Sequence, residues 1–223
     1  MLRVEALGFI LVAIAAYLLG SIPTGYLVAR ARGVDIRAVG SGNIGATNVF
    51  RTLGRGPGIF VLVVDALKGF VACRIFGTLG AAWFAGQSGS VREFFPIVAG
   101  LSAVLGHNYT CWLGFKGGKG IATSAGVLLA LFPKAFLAVL GVWALVFAVG
   151  RYVSLASVAA AVALPVAVGL LGYGVERLVV AVLLSVLAIY KHKSNIQRLL
   201  AGTEHRFGKP RASATPPSSA SGT

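Results

Sequence analysis

Between Ile121 and Val175 the only charged side chains are Lys134 and Arg151. A run so long and so apolar cannot cover itself with polar surface in water. In lipid, where no solvent satisfies backbone N–H and C=O groups, it can persist only if those groups pair within the chain, as they do in helices. A hydrocarbon core about 30 Å thick takes around 20 apolar residues per helix. Upstream segments repeat the pattern, and the 223-residue chain is 57% hydrophobic and 12% charged with mean hydropathy +0.86, well outside a soluble domain. The sequence predicts an all-α integral membrane protein: a seven-transmembrane-helix bundle with short interfacial helices in cytoplasmic loops. The spans fall near residues 5–29, 56–79, 94–113, 119–132, 134–150, 152–173 and 176–190. The fourth and fifth are short and divided only by Pro133-Lys134, so a five-span arrangement stays open.

Charge orients the bundle, because Lys and Arg collect in cytoplasmic loops. With seven spans, Arg30, Arg32, Arg37, Arg51, Arg55, Lys116, Lys119, Arg151 and six cations from Lys191 onward share one side, against Arg3, Arg92, Lys134 and Arg177 on the other. This places the N-terminus outside and the C-terminus and the basic loops in the cytoplasm, as in a multi-pass protein of a bacterial inner membrane. The net charge of +14, spread along one membrane face, points to anionic lipid and anionic substrates rather than nucleic acid. The first apolar run extends through Leu27-Val28-Ala29, too long for a signal peptide, and reads as an uncleaved helix. Residues 1–208 form a single transmembrane domain, and 209–223, rich in Pro and Ser, a disordered tail. Cys73 and Cys111 have no metal or redox spacing and read as core residues.

Three segments carry chemistry. The first, residues 39–58, holds Gly40-Ser41-Gly42-Asn43-Ile44-Gly45, with Asp65 twenty residues beyond Gly45. A dinucleotide fingerprint needs that spacing but also a strand and a βαβ unit. Here it follows a basic loop, and Asp65 lies in an apolar span. The better reading is a short interfacial helix from about Asn43 to Leu53, capped by Ser41, ended by Gly54, and presenting Thr47, Asn48 and Arg51 on one face. The second segment, Gly106 to Thr123, sets His107, Asn108, Lys116 and Lys119 among glycines. Gly117-Gly118-Lys119-Gly120 before a helix reads as a phosphate cradle, with an ordinary connecting turn as the competing reading. The nucleotide P-loop fails because Lys119 is followed by Gly120 instead of Ser or Thr. The third, residues 190–208, places His192 and Asn195 one turn apart on an amphipathic helix that Gly202 ends, with Glu204 set for a salt bridge to a nearby Arg.

Elsewhere, Asp65 and Lys68, at i and i+3 inside the second span, either neutralise each other or serve the site. Pro23 predicts a kink, with Ser21 and Thr24 in packing roles. Spans four to seven offer small residues for close packing and no further chemistry.

Together GSGNIGATNVFR, GHNYTCWLGFKGGKGIAT and HKSNIQRLLAGTEHR resemble the three cytoplasmic motifs of the bacterial acyl-phosphate:glycerol-3-phosphate acyltransferases, the PlsY family. GSIPTGYLVAR and LVVDALKG extend the resemblance to residue 208. It implies transfer of a fatty acyl group from acyl phosphate to the 1-position of glycerol 3-phosphate, with no cofactor, metal or nucleotide. It further implies that Ser41, Arg51, His192 and Asn195 form the catalytic centre, and that Lys116, Gly117, Gly118, Lys119 and Gly120 bind phosphate. Asn43, Thr47, Asn48, His107, Asn108 and Glu204 would support them. None of the three histidines has Asp five residues on, so the His-x-x-x-x-Asp arrangement of thioester-dependent acyltransferases is absent. An acyl phosphate is already activated, so a weaker base, His192 or a substrate phosphate oxygen, suffices. The alternative from another class, a transporter of an anionic metabolite, calls for an inverted repeat, and neither GSGNIG nor FKGGKG has a second copy.

Overall fold

The structure, a computed structural model, describes residues 2–86 and 89–208. The expected tail, 209–223, lies outside the described residues. All regular structure among them is helical: α1 (Leu2–Ser21), α2 (Thr24–Arg30), α3 (Ala46–Leu53), α4 (Arg55–Val71), α5 (Thr78–Phe84), α6 (Gly89–Asn108), α7 (Ile121–Leu131), α8 (Pro133–Gly150), α9 (Val153–Leu170), α10 (Val175–Lys191) and α11 (Lys193–Leu200). A π-helical turn, Ala72–Gly77, joins α4 to α5 without a break.

Three stretches are long and apolar enough to cross a membrane on length and composition alone: Arg3–Arg30, Pro133–Gly150 and Val153–Leu170. The other candidates fall short for identifiable reasons. α10 has 17 residues and α7 has 11, α4 has 17 before it passes into the π-helical turn and carries Asp65 and Lys68, and α6 carries Arg92, Glu93, His107 and Asn108. Leu7, Phe60, Leu145 and Val149 are among many large apolar side chains left exposed, as a lipid-facing surface requires.

α1 packs on α6, α4 on α7, and α9 on both α8 and α10. Small residues permit the first two crossings. A methyl on Gly20 would strike the Ala103 backbone, and one on Gly126 the Ala66 carbonyl, so the helices meet at backbone distance, the usual route to association where lipid removes a hydrophobic drive. Pro23 does interrupt the first helix, and side chains from elsewhere cover the released carbonyls. Thr110 Oγ1 donates to Ser21 O at 2.6 Å and Lys68 Nζ to Ile22 O at 2.8 Å.

Four expectations need correction. The third helix ends at Asn108 rather than near 113, because the chain turns at Tyr109 and forms a short 3₁₀ turn, Cys111–Leu113. Cys111 on that turn is partly exposed, not core, whereas Cys73 is buried. The interfacial helix begins at Ala46 rather than Asn43, with Gly45 at its N-cap and no side-chain cap. Ser41 is therefore not its capping residue. Gly54, at φ 93°, does end it.

Candidate active site

Asn48 organises the first loop. Its buried side chain donates through Nδ2 to the carbonyls of Ile36 (3.2 Å), Val39 (3.1 Å) and Asn43 (2.9 Å), and its Oδ1 accepts the Ser41 N–H at 2.9 Å. Gly40 and Gly42, at φ 62° and 69°, turn the chain on either side of Ser41. At Gly40 a side chain would also strike Asn48 Oδ1. Asn43 Oδ1 accepts the Gly45 N–H at 2.9 Å and leads into α3. On α3, the Arg51 guanidinium is half-buried, with its Nε enclosed and unpartnered, and burial lowers its pKa. An unpaired cationic donor at a cavity wall invites an anion.

The glycine loop folds back on the end of α6. Gly117 N–H donates to Asn108 O at 3.2 Å and Gly118 N–H to His107 O at 3.0 Å, while Lys191 Nζ also donates to Asn108 O at 3.0 Å. The N–H groups of Gly117 and Gly118 are thus spent on α6. A methyl at Gly118 would collide with His107 Nε2, and one at Gly117 with His107 O. These glycines serve close backbone approach. Gly120, at φ 79°, is the N-cap of α7, whose first-turn N–H groups have no intrahelical partners.

The third segment forms a relay. Glu204 Oε2 accepts from Arg198 Nε at 2.7 Å; its Oε1 accepts from Asn195 Nδ2 at 2.7 Å and from Ser154 Oγ at 2.9 Å. Burial raises the Glu204 pKa, but these three donors outweigh it and hold the carboxyl below its usual range. Asn195 Oδ1 accepts from Lys119 Nζ. Because a carboxylate only accepts and an ammonium only donates, the Asn195 amide has one possible orientation. Burial lowers the Lys119 pKa to about 8, against the pull of Glu204 and with the help of Arg198 and Arg51. His192 is buried and its Nδ1 lies 2.8 Å from Ala188 O. A carbonyl can only accept, so Nδ1 carries the proton and Nε2 is left as the basic nitrogen. Burial, then Lys119, lowers the His192 pKa to about 4.

A cavity of about 1780 Å³ joins these parts. Ser41, Asn43, Thr47, Asn48, Arg51, His107, Lys119, Gly120, His192, Asn195 and Glu204 line its polar end; Lys116, Gly117, Gly118 and Asn108 do not line it. Lys116 is exposed. Much of the remaining wall is apolar and comes from α4 (Ile59, Leu62), α7 (Leu128), α8 (Val139, Trp143, Phe147), α9 (Ala161, Leu164) and α10 (Leu184), with Asp65 and Ser185 also lining it. Sequence reasoning missed Ser154 and Arg198, which hold Glu204. Arg198 stands one turn beyond Asn195 on the amphipathic helix, a legible signal, whereas nothing local marks Ser154.

The sequence profile described as glycerol-3-phosphate acyltransferase matches residues 10–202. A protein of that name from Synechococcus sp. (strain JA-3-3Ab) is 48% identical over 204 residues, covering 91% of this chain and 95% of the relative. Another, from Aquifex aeolicus (strain VF5), is 45% identical over 194 residues, covering 87% and 96%. Among solved structures, the glycerol 3-phosphate form of PlsY (YgiH), an integral membrane glycerol 3-phosphate acyltransferase, superposes with a TM-score of 0.80 at 44% identity over 90% of this chain and 96% of that one. Its lysophosphatidic acid form gives 0.78 at 43% identity, over 90% and 95%. The chain belongs to the glycerol-3-phosphate acyltransferase family, as a PlsY-type integral membrane member.

Proposed function

We propose that the protein moves a fatty acyl group from acyl phosphate to the 1-hydroxyl of glycerol 3-phosphate, giving 1-acylglycerol 3-phosphate (lysophosphatidic acid) and inorganic phosphate, the first step of phospholipid synthesis. The observation that carries this reading is one continuous cavity with a cationic end and apolar walls. It fits an amphiphilic anion whose chain lies between α4, α7, α8 and α9 and whose phosphate meets Arg51 and Lys119. The first-turn N–H groups of α7 suit a second, small phosphate. Relatives described with glycerol 3-phosphate and with lysophosphatidic acid support the same pair of substrate and product.

In this reaction the glycerol oxygen attacks the acyl carbon, the bond from that carbon to the phosphate oxygen breaks, and the electron pair leaves on phosphate. The hydroxyl proton passes to His192 Nε2 or to a phosphate oxygen of the substrate. Ser41, on the loop that Asn48 fixes, positions the acyl phosphate or the attacking oxygen. Asn195 and Glu204 hold the Lys119 ammonium toward the leaving phosphate, where negative charge grows.

Seven crossings of a bacterial inner membrane accompany the activity, with residues 1–208 as one domain, α3 and α11 along the cytoplasmic interface, and the N-terminus outside. Convergence of the three segments on one cavity supports this placement of the segments on one membrane face. They must share a membrane face, so an even number of crossings separates each from the next: two between the first and second, four between the second and third. The experiment offers purified protein labelled glycerol 3-phosphate with acyl phosphate, acyl-CoA or acyl carrier protein separately. Product from acyl phosphate alone is expected; product from a thioester with none from acyl phosphate overturns the donor assignment.

A further inference from the structure

The catalytic reading leaves unused a buried ionic cluster behind the glycine loop. Asp65 and Lys68 on α4 and His107 on α6 are all at most 4% exposed. Lys68 Nζ makes an ion pair with Asp65 Oδ1 at 2.8 Å, outside hydrogen-bond alignment for that oxygen. It donates to Ile22 O at 2.8 Å and lies 3.4 Å from His107 Nδ1. An ammonium has three N–H bonds and no lone pair, so the ring nitrogen beside it must accept. Nδ1 is also 3.8 Å from Asp65 Oδ1, too far to donate a hydrogen bond. The proton of the His107 ring therefore belongs on Nε2. That nitrogen faces Gly118, where any side chain would strike it, and the ring lines the cavity.

We infer that Lys68, anchored by Asp65 and the Ile22 carbonyl at the α1–α2 break, locks His107 as an Nε2–H donor for the phosphate of glycerol 3-phosphate beside the glycine loop. Lys68 and Asp65 are then positioning residues, acting through His107. The inference rests on the acyltransferase reading above. It gives the kink at Pro23 a use, since Ile22 O is available to Lys68 only because the helix breaks there. It also gives Gly118 one, since a bulkier residue would push the donor aside.

The test compares full-length variants by kcat and by KM for each substrate. A glutamine amide nitrogen reaches the place of Nε2 and donates regardless of tautomer; asparagine reaches only that of Nδ1. Asp65→Asn/Lys68→Met removes both charges together, leaving no lone buried carboxylate. His107→Asn and Asp65→Asn/Lys68→Met should each raise KM for glycerol 3-phosphate about ten- to a hundredfold, the loss of one hydrogen bond to a charged group, with kcat and KM for acyl phosphate changed far less. His107→Gln should keep most of the affinity that His107→Asn loses. Adding His107→Gln to Asp65→Asn/Lys68→Met should restore it, because the donor no longer needs a lock. If the combined variant is as impaired as the charge pair alone, the cluster is merely structural. A readout independent of turnover is the ¹⁵N spectrum of histidine-labelled wild-type protein, in which His107 should show an unprotonated Nδ1; a protonated Nδ1 overturns the lock whether or not the variants fold. Failure of the acyltransferase reading would instead leave the wild-type enzyme without product.

Discussion

Lys119 offers the sharpest use of the site's electrostatics. Its ammonium is held between Asn195 and the cavity, and burial brings its pKa from 10.5 to about 8. A shift of that size means that keeping the charge at this buried position costs about 3 kcal/mol, which a bound phosphate would offset. The sign follows: lysine is the charged, phosphate-binding form below its pKa, so free enzyme loses this contact as pH rises through about 8. At pH 7 about nine-tenths of the enzyme carries the ammonium, and at pH 9 about one-tenth does, so kcat/KM should fall about tenfold across that interval. The phosphate groups of the substrates are already dianions there, their second ionisation lying near pH 6. Lys119→Arg keeps its charge throughout, so its profile should be flat even if its activity is lower. The assay is initial rates from about pH 6.5 to 9.5, with each substrate varied in turn; the KM that rises identifies the phosphate that Lys119 meets. A flat wild-type profile, or an equal fall in Lys119→Arg, refutes the reasoning.

Arg51→Lys should fold normally yet lose at least about tenfold in kcat/KM, because a point charge cannot replace a two-pronged contact with phosphate; near-normal turnover would return Arg51 to a surface role. His192, with its pKa depressed to about 4, is neutral from about pH 5.5 upward. His192→Ala should therefore lower kcat by about a hundredfold or more, evenly across that range, whereas a wild-type acidic limb near pH 6.5 that vanishes in the variant would contradict the depressed value. Asn48→Ala strips three carbonyls and one N–H of their partner and should cost about 1–3 kcal/mol, read as a lowered thermal midpoint in detergent together with reduced kcat through the displaced Ser41.

Much of the fold was legible because hydropathy in lipid is nearly a one-dimensional problem. The helices Pro133–Gly150 and Val153–Leu170 fall within a few residues of the expected spans. Where the reading slipped, partners distant in sequence decided. Tyr109–Leu113 is apolar enough to extend α6, but Thr110 is drawn to Ser21 O, 89 positions away. Ser41 looked like a helix cap because hydroxyls commonly are; Asn48 instead reaches back to the Ser41 backbone and delays the helix start. Small residues in the spans signal only packing, and Ser154 shows the limit of that signal, since its partner Glu204 lies 50 positions on. Composition points to a basic, anion-attracting face. Only the folded chain shows that Gly117 and Gly118 turn their N–H groups toward α6.

That inward turn settles which pole of which helix an approaching anion meets. α6 ends and α7 begins at nearly the same place, so a partial negative charge and a partial positive charge sit side by side. Left bare, the two would largely cancel, and a phosphate would be repelled by one as much as drawn by the other. The amides of Gly117 and Gly118 and the Lys191 ammonium cap the negative pole, acting as insulation that screens the last α6 carbonyls from the cavity. What remains visible there is the positive terminus of α7, with the Lys119 charge beside it. A site assembled from two opposed dipoles thus presents a field of one sign, and its preference for anions is built into the backbone before any side chain touches the substrate.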